Sequence, residues 1–242
     1  MTRGQATRPA APVAAALQVA GLHASIGGSH VLQGIDLNVP AGGVTALLGR
    51  NGVGKTTTLR ALIGLVTPTG TVRILGREVV GWATHRIIGL GVGYVPEDRE
   101  VFSRLTVREN LRLAESGPDM NYDRVYTLFP ELRQRSRQLA GTLSGGQQQM
   151  LAIGRVLLAD RQVLLVDEPT KGLSPRFVSE VVDVLERVRE NATVLMVEQN
   201  VHVVRRLAQR IIVLDHGQVA HTGPAADLAN EDLVRRLLGV SA

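Results

Sequence analysis

Three short runs in the second half of the chain are aliphatic at every position: Val163-Leu164-Leu165-Val166, Val194-Leu195-Met196-Val197 and Ile211-Ile212-Val213-Leu214. A strand with one wet face alternates apolar and polar side chains, so a strand without alternation is buried on both faces. Such strands belong to a parallel sheet covered by helices. Helical patterns separate the runs, notably Phe177 to Arg189 between the first two. The wiring is βαβ, and the expected fold class is α/β with a parallel core sheet. Earlier, β-like stretches at Leu17 to Ala20, Val31 to Val39 and Thr71 to Leu75 alternate with turn signals and predict an added antiparallel β layer. Between about Thr106 and Thr142, polar helix-prone segments broken at Gly117-Pro118 and Pro130 predict a helical subdomain inserted in the core.

Composition narrows the class. The length of 242 residues suits one substantial core, which aromatics, at 3%, leave to aliphatic packing. No apolar run approaches the roughly 18 residues that span a bilayer, so the chain does not read as an integral membrane protein. The lack of cysteine rules out disulfides and thiolate metal sites and fits a reducing compartment. Residues 1–16, rich in Ala, Pro and Arg, read as a disordered tail: Ala14 to Leu17 is too short and weakly apolar for a signal-peptide core. Residues 17–242 then form one domain. The formal charge of +5 does not by itself call for nucleic acid: the densest basic patch, Arg133, Arg135 and Arg137, lacks interleaved aromatics and reads as a solvated face. Of 27 basic residues only Lys55 and Lys171 are lysine.

Gly49-Arg50-Asn51-Gly52-Val53-Gly54-Lys55-Thr56 follows the buried strand Val44 to Leu48 and opens a helix expected from Lys55 through Leu65. It fits G-x-x-x-x-G-K-[ST], in which glycines let backbone N–H groups curl around phosphates and the helix N-terminus faces the same anion. Lys55 would reach the β- and γ-phosphates of a nucleotide and the Thr56 hydroxyl would ligate Mg²⁺. A compact ammonium suits that cradle better than a planar guanidinium. Asp167 and Glu168 close the first aliphatic run, which brings both carboxylates out at the strand's carboxyl end. Asp167 is expected to hold Mg²⁺ through its water shell, and Glu168 to orient and polarise an attacking water. Asp215 ends the third run similarly, but Gly217 marks a plain turn there.

Leu143-Ser144-Gly145-Gly146-Gln147 precedes a helix from about Gln148 to Leu158, with Ser144 as N-cap and two glycine amides able to approach a phosphate. In order, the phosphate loop, this element and the Val163 to Glu168 strand resemble the ATP-binding subunits of ABC transporters, over essentially Leu17 to Val240. The resemblance implies two ATPase subunits stacked head to tail. Each ATP lies between one subunit's Gly49–Thr56 loop and the other's Ser144-Gly145-Gly146, and closure drives a membrane partner. Within that family, Gly93-Tyr94-Val95-Pro96-Glu97, Arg99, Phe102, Leu105-Thr106-Val107 and Glu109-Asn110-Leu111 look like the branched-chain amino-acid importer ATPases. So do Leu173-Ser174-Pro175 and Val197-Glu198-Gln199-Asn200, and the loop wording through Thr57 fits them. Urea and short-chain amide importers have closely similar ATPases, so both substrate classes stay open.

Three positions depart from the general ABC pattern. Ile26 stands where an aromatic usually stacks on adenine. Glu97 replaces the expected Mg²⁺-sensing glutamine, keeping an oxygen ligand but adding negative charge. Gln199 replaces a histidine that usually contacts the γ-phosphate, and His202 is expected to point elsewhere. The branched-chain subgroup shares the last two replacements. The implied setting is peripheral, on the cytoplasmic face of a membrane, with two permease subunits, an extracytoplasmic solute-binding protein and a second, different ATPase. A soluble ABC-type ATPase of DNA repair or translation would carry two ATPase units or a long coiled-coil insertion, and neither is seen. A small-molecule kinase or GTPase would share the phosphate loop but leave Leu143 to Gln147 without a reason.

Overall fold

Strand β7 (Val163–Asp167) sends alternate side chains into two separate cores, and this division organises the molecule. The computed structural model describes residues 15–115 and 120–238, apart from the side chains at 233 and 236–238. A six-stranded sheet runs in the order β10-β9-β3-β8-β7-β6. Its members β3 (Val44–Leu48), β6 (Val92–Val95), β7, β8 (Thr193–Val197) and β9 (Arg210–Asp215) are parallel, and β10 (Gln218–Pro224) closes one edge antiparallel. Val163, Leu165, Leu195, Val197, Ile212 and Leu214 face one core, while Leu164, Val166, Val194, Met196, Ile211 and Val213 face the other. The period-2 geometry of a strand buried on both faces requires aliphatic residues at every position. The turn at His216-Gly217 that joins β9 to β10 agrees with the plain-turn reading of Asp215.

On the first face, a four-stranded antiparallel sheet in the order β2-β1-β4-β5 packs with α1 (Lys55–Leu62). It comprises β1 (Ala15–Ile26), β2 (Ser29–Pro40), β4 (Thr69–Ile74) and β5 (Arg77–Glu78), followed by the short α2 (Thr84–Ile88). The strand expected from Leu17 starts at Ala15, because Ala15 pairs with Pro40 and Ala16 is buried. Residues 1–14 of the expected tail, and the expected break at Gly117-Pro118, lie outside the described residues. Helix α1 stops at Leu62 rather than Leu65: Gly64 follows with φ 75°, a left-handed conformation that ends helices.

The second face is covered by α6 (Gly145–Leu157), α7 (Pro175–Val188), α8 (Val201–Leu207) and the short helices α3 (Val107–Arg112), α4 (Tyr122–Leu128) and α5 (Pro130–Gln134). A helix α9 (Glu231–Leu238) ends the described chain. The segment between β6 and α6 closes on itself through a bridge between Thr106 and Leu139. Thr106 and Glu109 form a capping box at α3, and the fully buried Asn110 amide donates to the carbonyls of Phe102, Leu105 and Thr106. Of the basic patch, Arg133 lies in α5 and pairs with Asp123, while Arg135 and Arg137 follow the helix end at Gln134, Arg135 lying 3.8 Å from Glu131. Among the described residues no helix is long and apolar enough to cross a membrane.

Candidate nucleotide site

The phosphate loop joins the carboxyl end of β3 to α1, two elements anchored in the cores, so its backbone is held from both sides. Gly49 has φ 143°, and a Cβ there would fall on the Leu214 carbonyl oxygen, so only glycine fits. Lys55 folds back over the loop: its Nζ donates to the carbonyls of Gly49 (2.8 Å) and Arg50 (2.9 Å). Burial lowers its pKa, against an upward pull from Glu168 and Asp167.

The neighbouring strand end supplies the acidic groups. Thr56 Oγ1 donates to Asp167 Oδ1 at 3.2 Å, while Asp167 Oδ2 is buried with no hydrogen-bond partner. Burial, reinforced by Glu97 and Glu168, pushes the Asp167 carboxyl up to about 6. An orphaned, desolvated carboxylate oxygen beside a threonine hydroxyl is what a hard cation satisfies. Among the described residues no group of three or more His, Cys, Asp and Glu could hold a metal alone.

The raised pKa has a stability consequence. The folded carboxyl binds its proton more tightly than the unfolded one, so its contribution, complete below about pH 3.8, is lost as pH rises through about 6. Asp167→Asn is therefore expected to raise the melting temperature of the nucleotide-free chain at neutral pH by about 3–8 °C. Calorimetry showing no rise would contradict this.

Glu168 leaves β7 in a left-handed conformation, φ 45°, held by its N–H to the Val197 carbonyl (2.9 Å). Its nearly buried carboxylate accepts from the Gln199 amide through Oε1 and lies 3.4 Å from Lys171 Nζ through Oε2. Lys171 also donates to Glu97. Asn51, Gly52, Gly54, Lys55, Thr56, Thr57, Glu97 and Glu168 line one cavity of about 270 Å³, together with Val31 and Lys171. Asp167 adjoins it through Thr56, and Gln199 through Glu168. Gly49, Arg50 and Val53 complete the loop without lining the cavity, and Ile26, at the end of β1, is 46% exposed and apart from it. His202 is exposed, and its backbone N–H donates to Asn200.

Leu143 to Gln147 also stand outside the cavity. Ser144 caps α6 in a reciprocal box with Gln147, at 3.0 and 3.3 Å, so the helix starts at Gly145 rather than Gln148. Gly146 has a packing reason the sequence does not reveal: a Cβ there would enter the Phe177 ring of α7. Gln147 Nε2 donates to Glu131 Oε2 (2.9 Å), and Glu131 pairs with Arg176 of α7 (2.7 Å). The element is thus tied to the helix that follows Glu168.

Two contributors escaped the sequence reading. Glu198, 3% exposed, accepts from Thr170 Oγ1 (2.6 Å) and from the backbone N–H groups of Gln199 (2.8 Å) and Asn200 (2.9 Å). It thereby fastens the loop after β7 to the loop after β8. Lys171, given no role by its position alone, becomes a partner of two carboxylates. The signal available was composition, since both lysines of an arginine-using chain occur here.

The fold and site define a P-loop nucleotide-binding protein with an antiparallel β layer and helices inserted before the capped helix. The ABC transporter family model matches residues 32–171, and the chain belongs to that family. It is 40% identical to the high-affinity branched-chain amino acid transport ATP-binding protein BraG of Pseudomonas aeruginosa, over 87% of this chain and 94% of that one. It is 37% identical to the probable branched-chain amino acid transport ATP-binding protein LivF of Archaeoglobus fulgidus, over 86% and 92%. Among solved structures, cbiO1 of Clostridium perfringens, part of the ABC transporter complex cbiONQ, superposes with TM-score 0.75 and 27% identity, covering 92% of this chain and 94% of that one. An ATP-binding cassette in its ADP conformation shares the fold at TM-score 0.78 and 22% identity, over 93% and 97%. As an ATPase subunit of this family, the chain binds and hydrolyses ATP, dimerises and partners with permeases.

Proposed function

We propose that the chain energises an importer of branched-chain amino acids from the cytoplasmic face of a cell membrane. Residues 17–242 would act as its ATPase domain, with residues 106–142 as the helical subdomain. The observation that carries the catalytic part is the environment of Glu168, a nearly buried carboxylate at a strand end, held by the Gln199 amide beside the phosphate loop.

In this reading the loop from Gly49 through Thr57 cradles the phosphates: Arg50, Asn51, Gly52, Val53 and Gly54 offer backbone groups, and Lys55 exchanges its two carbonyl partners for phosphate oxygens. Ile26 gives adenine an apolar contact. Thr56 and Asp167, with Glu97 across the cavity, are the residues to hold Mg²⁺; the buried, unpartnered Asp167 Oδ2 fits that role. When bound, the ion supplies charge neutralisation at the phosphates. Glu168 takes the proton of a water positioned for in-line attack on the γ-phosphorus, and Gln199 keeps its carboxylate aimed at that water. Following the head-to-tail pairing that the family resemblance implies, Leu143, Ser144, Gly145, Gly146 and Gln147 are lent to the nucleotide of a second, different ATPase subunit; their place outside this chain's own cavity is compatible with that. An extracytoplasmic solute-binding protein completes the machine.

Reconstitution tests it. Vesicles holding the permeases, both ATPase subunits and the binding protein are expected to accumulate labelled leucine only with ATP and this chain present. Uptake of urea without leucine would overturn the substrate assignment.

A further inference from the structure

The chain has two lysines among its 27 basic residues, and both line one cavity. Their partners differ. Lys55 is engaged by the loop's own carbonyls, whereas Lys171 is engaged by Glu97 and Glu168. The Lys171 side chain is 58% exposed and that of Glu168 8%, so the lysine is the member of the pair with room to move.

Three carboxylates, Asp167, Glu168 and Glu97, meet at this end of the cavity with Lys55, Lys171 and, beside Asp167, the Arg60 guanidinium. A polyphosphate adds further negative charge. Gln199 contributes a neutral amide to Glu168, not a cation. A phosphate arriving beside Glu97 and Glu168 therefore meets repulsion, which a cation turning toward it offsets in addition to any ion the phosphates bring.

We infer that Lys171 is a second phosphate-reading cation. In the arrangement described it neutralises Glu97 and Glu168; when the terminal phosphate of a nucleoside triphosphate enters, the ammonium exchanges a carboxylate for that phosphate. A compact ammonium on a flexible four-carbon stem can turn between partners, whereas a guanidinium locks onto one carboxylate in a two-pronged pair. The exchange also releases Glu168 from its cation, leaving its carboxylate with the Gln199 amide. Lys171 would thus distinguish triphosphate from diphosphate.

This inference rests on the nucleotide-site reading above. The test is calorimetric binding of Mg²⁺ complexes of AMP-PNP and ADP to the full chain and to Lys171→Ala, Lys171→Gln and Lys55→Ala variants. Both Lys171 variants are expected to lose about tenfold in affinity for the triphosphate analogue. Their ADP affinity should change by less than about twofold, as for an exposed ion pair. Adding Glu97→Gln to Lys171→Ala is expected to restore most of the loss, because it removes the unneutralised carboxylate. Equal losses for both nucleotides, no loss, or no restoration would overturn the proposal. If Lys55→Ala kept both affinities, the nucleotide-site reading itself would fail. If Lys55→Ala lost them while Lys171→Ala kept its preference for triphosphate, only the role of Lys171 would fall.

Discussion

Glu168→Gln is expected to keep ATP binding and to lower turnover by about 10²–10⁴-fold, the usual worth of a positioned general base. The amide occupies nearly the same volume but cannot take a proton from water. Binding should survive because the phosphate contacts come from the loop between Gly49 and Thr57. The substitution does not touch Lys55, whose two carbonyl partners before nucleotide binds belong to the loop itself. Phosphate release measured beside nucleotide binding checks both halves. Hydrolysis at the wild-type rate would remove Glu168 from the mechanism.

The second large effect belongs to Glu198. Its side chain accepts from one hydroxyl and two backbone N–H groups in a buried setting. Glu198→Ala leaves those donors without a partner, at about 1–3 kcal/mol for each buried unsatisfied group. A loss of about 2–5 kcal/mol in urea unfolding is expected, together with a fall in turnover because Gln199 is no longer held against Glu168. Glu198→Gln keeps an acceptor oxygen and should lose less of both. A variant with unchanged unfolding and unchanged turnover would show that the two loops hold their places without this carboxylate.

These two glutamates differ in how they could be recognised. Glu168 is legible because it ends an aliphatic run and follows an aspartate, a pattern with local meaning. Glu198 also ends an aliphatic run, yet nothing near it in sequence names Thr170, 28 residues away, as its partner. Gly146 shows the same limit. Its place after Ser144 suggests a helix start near a phosphate, but the Phe177 ring that excludes a side chain there comes from another helix. Helix ends were less legible than helix identity: α1 stops early at the left-handed Gly64, and α6 starts early because the Ser144–Gln147 box recruits the glycines into its first turn.

The α/β class, the parallel core and the phosphate loop are all written locally in the chain. Each depends on periods and spacings that repeat within a few residues, where backbone geometry leaves few choices. Which charges meet depends instead on how the strand ends pack. Lys171, Glu97 and Glu168 come from two different strand ends, and the sheet order β8-β7-β6 sets those ends side by side. The partnership depends on distance in space, which sequence separation does not encode. The same packing leaves Asp167 Oδ2 unpartnered beside the phosphate loop.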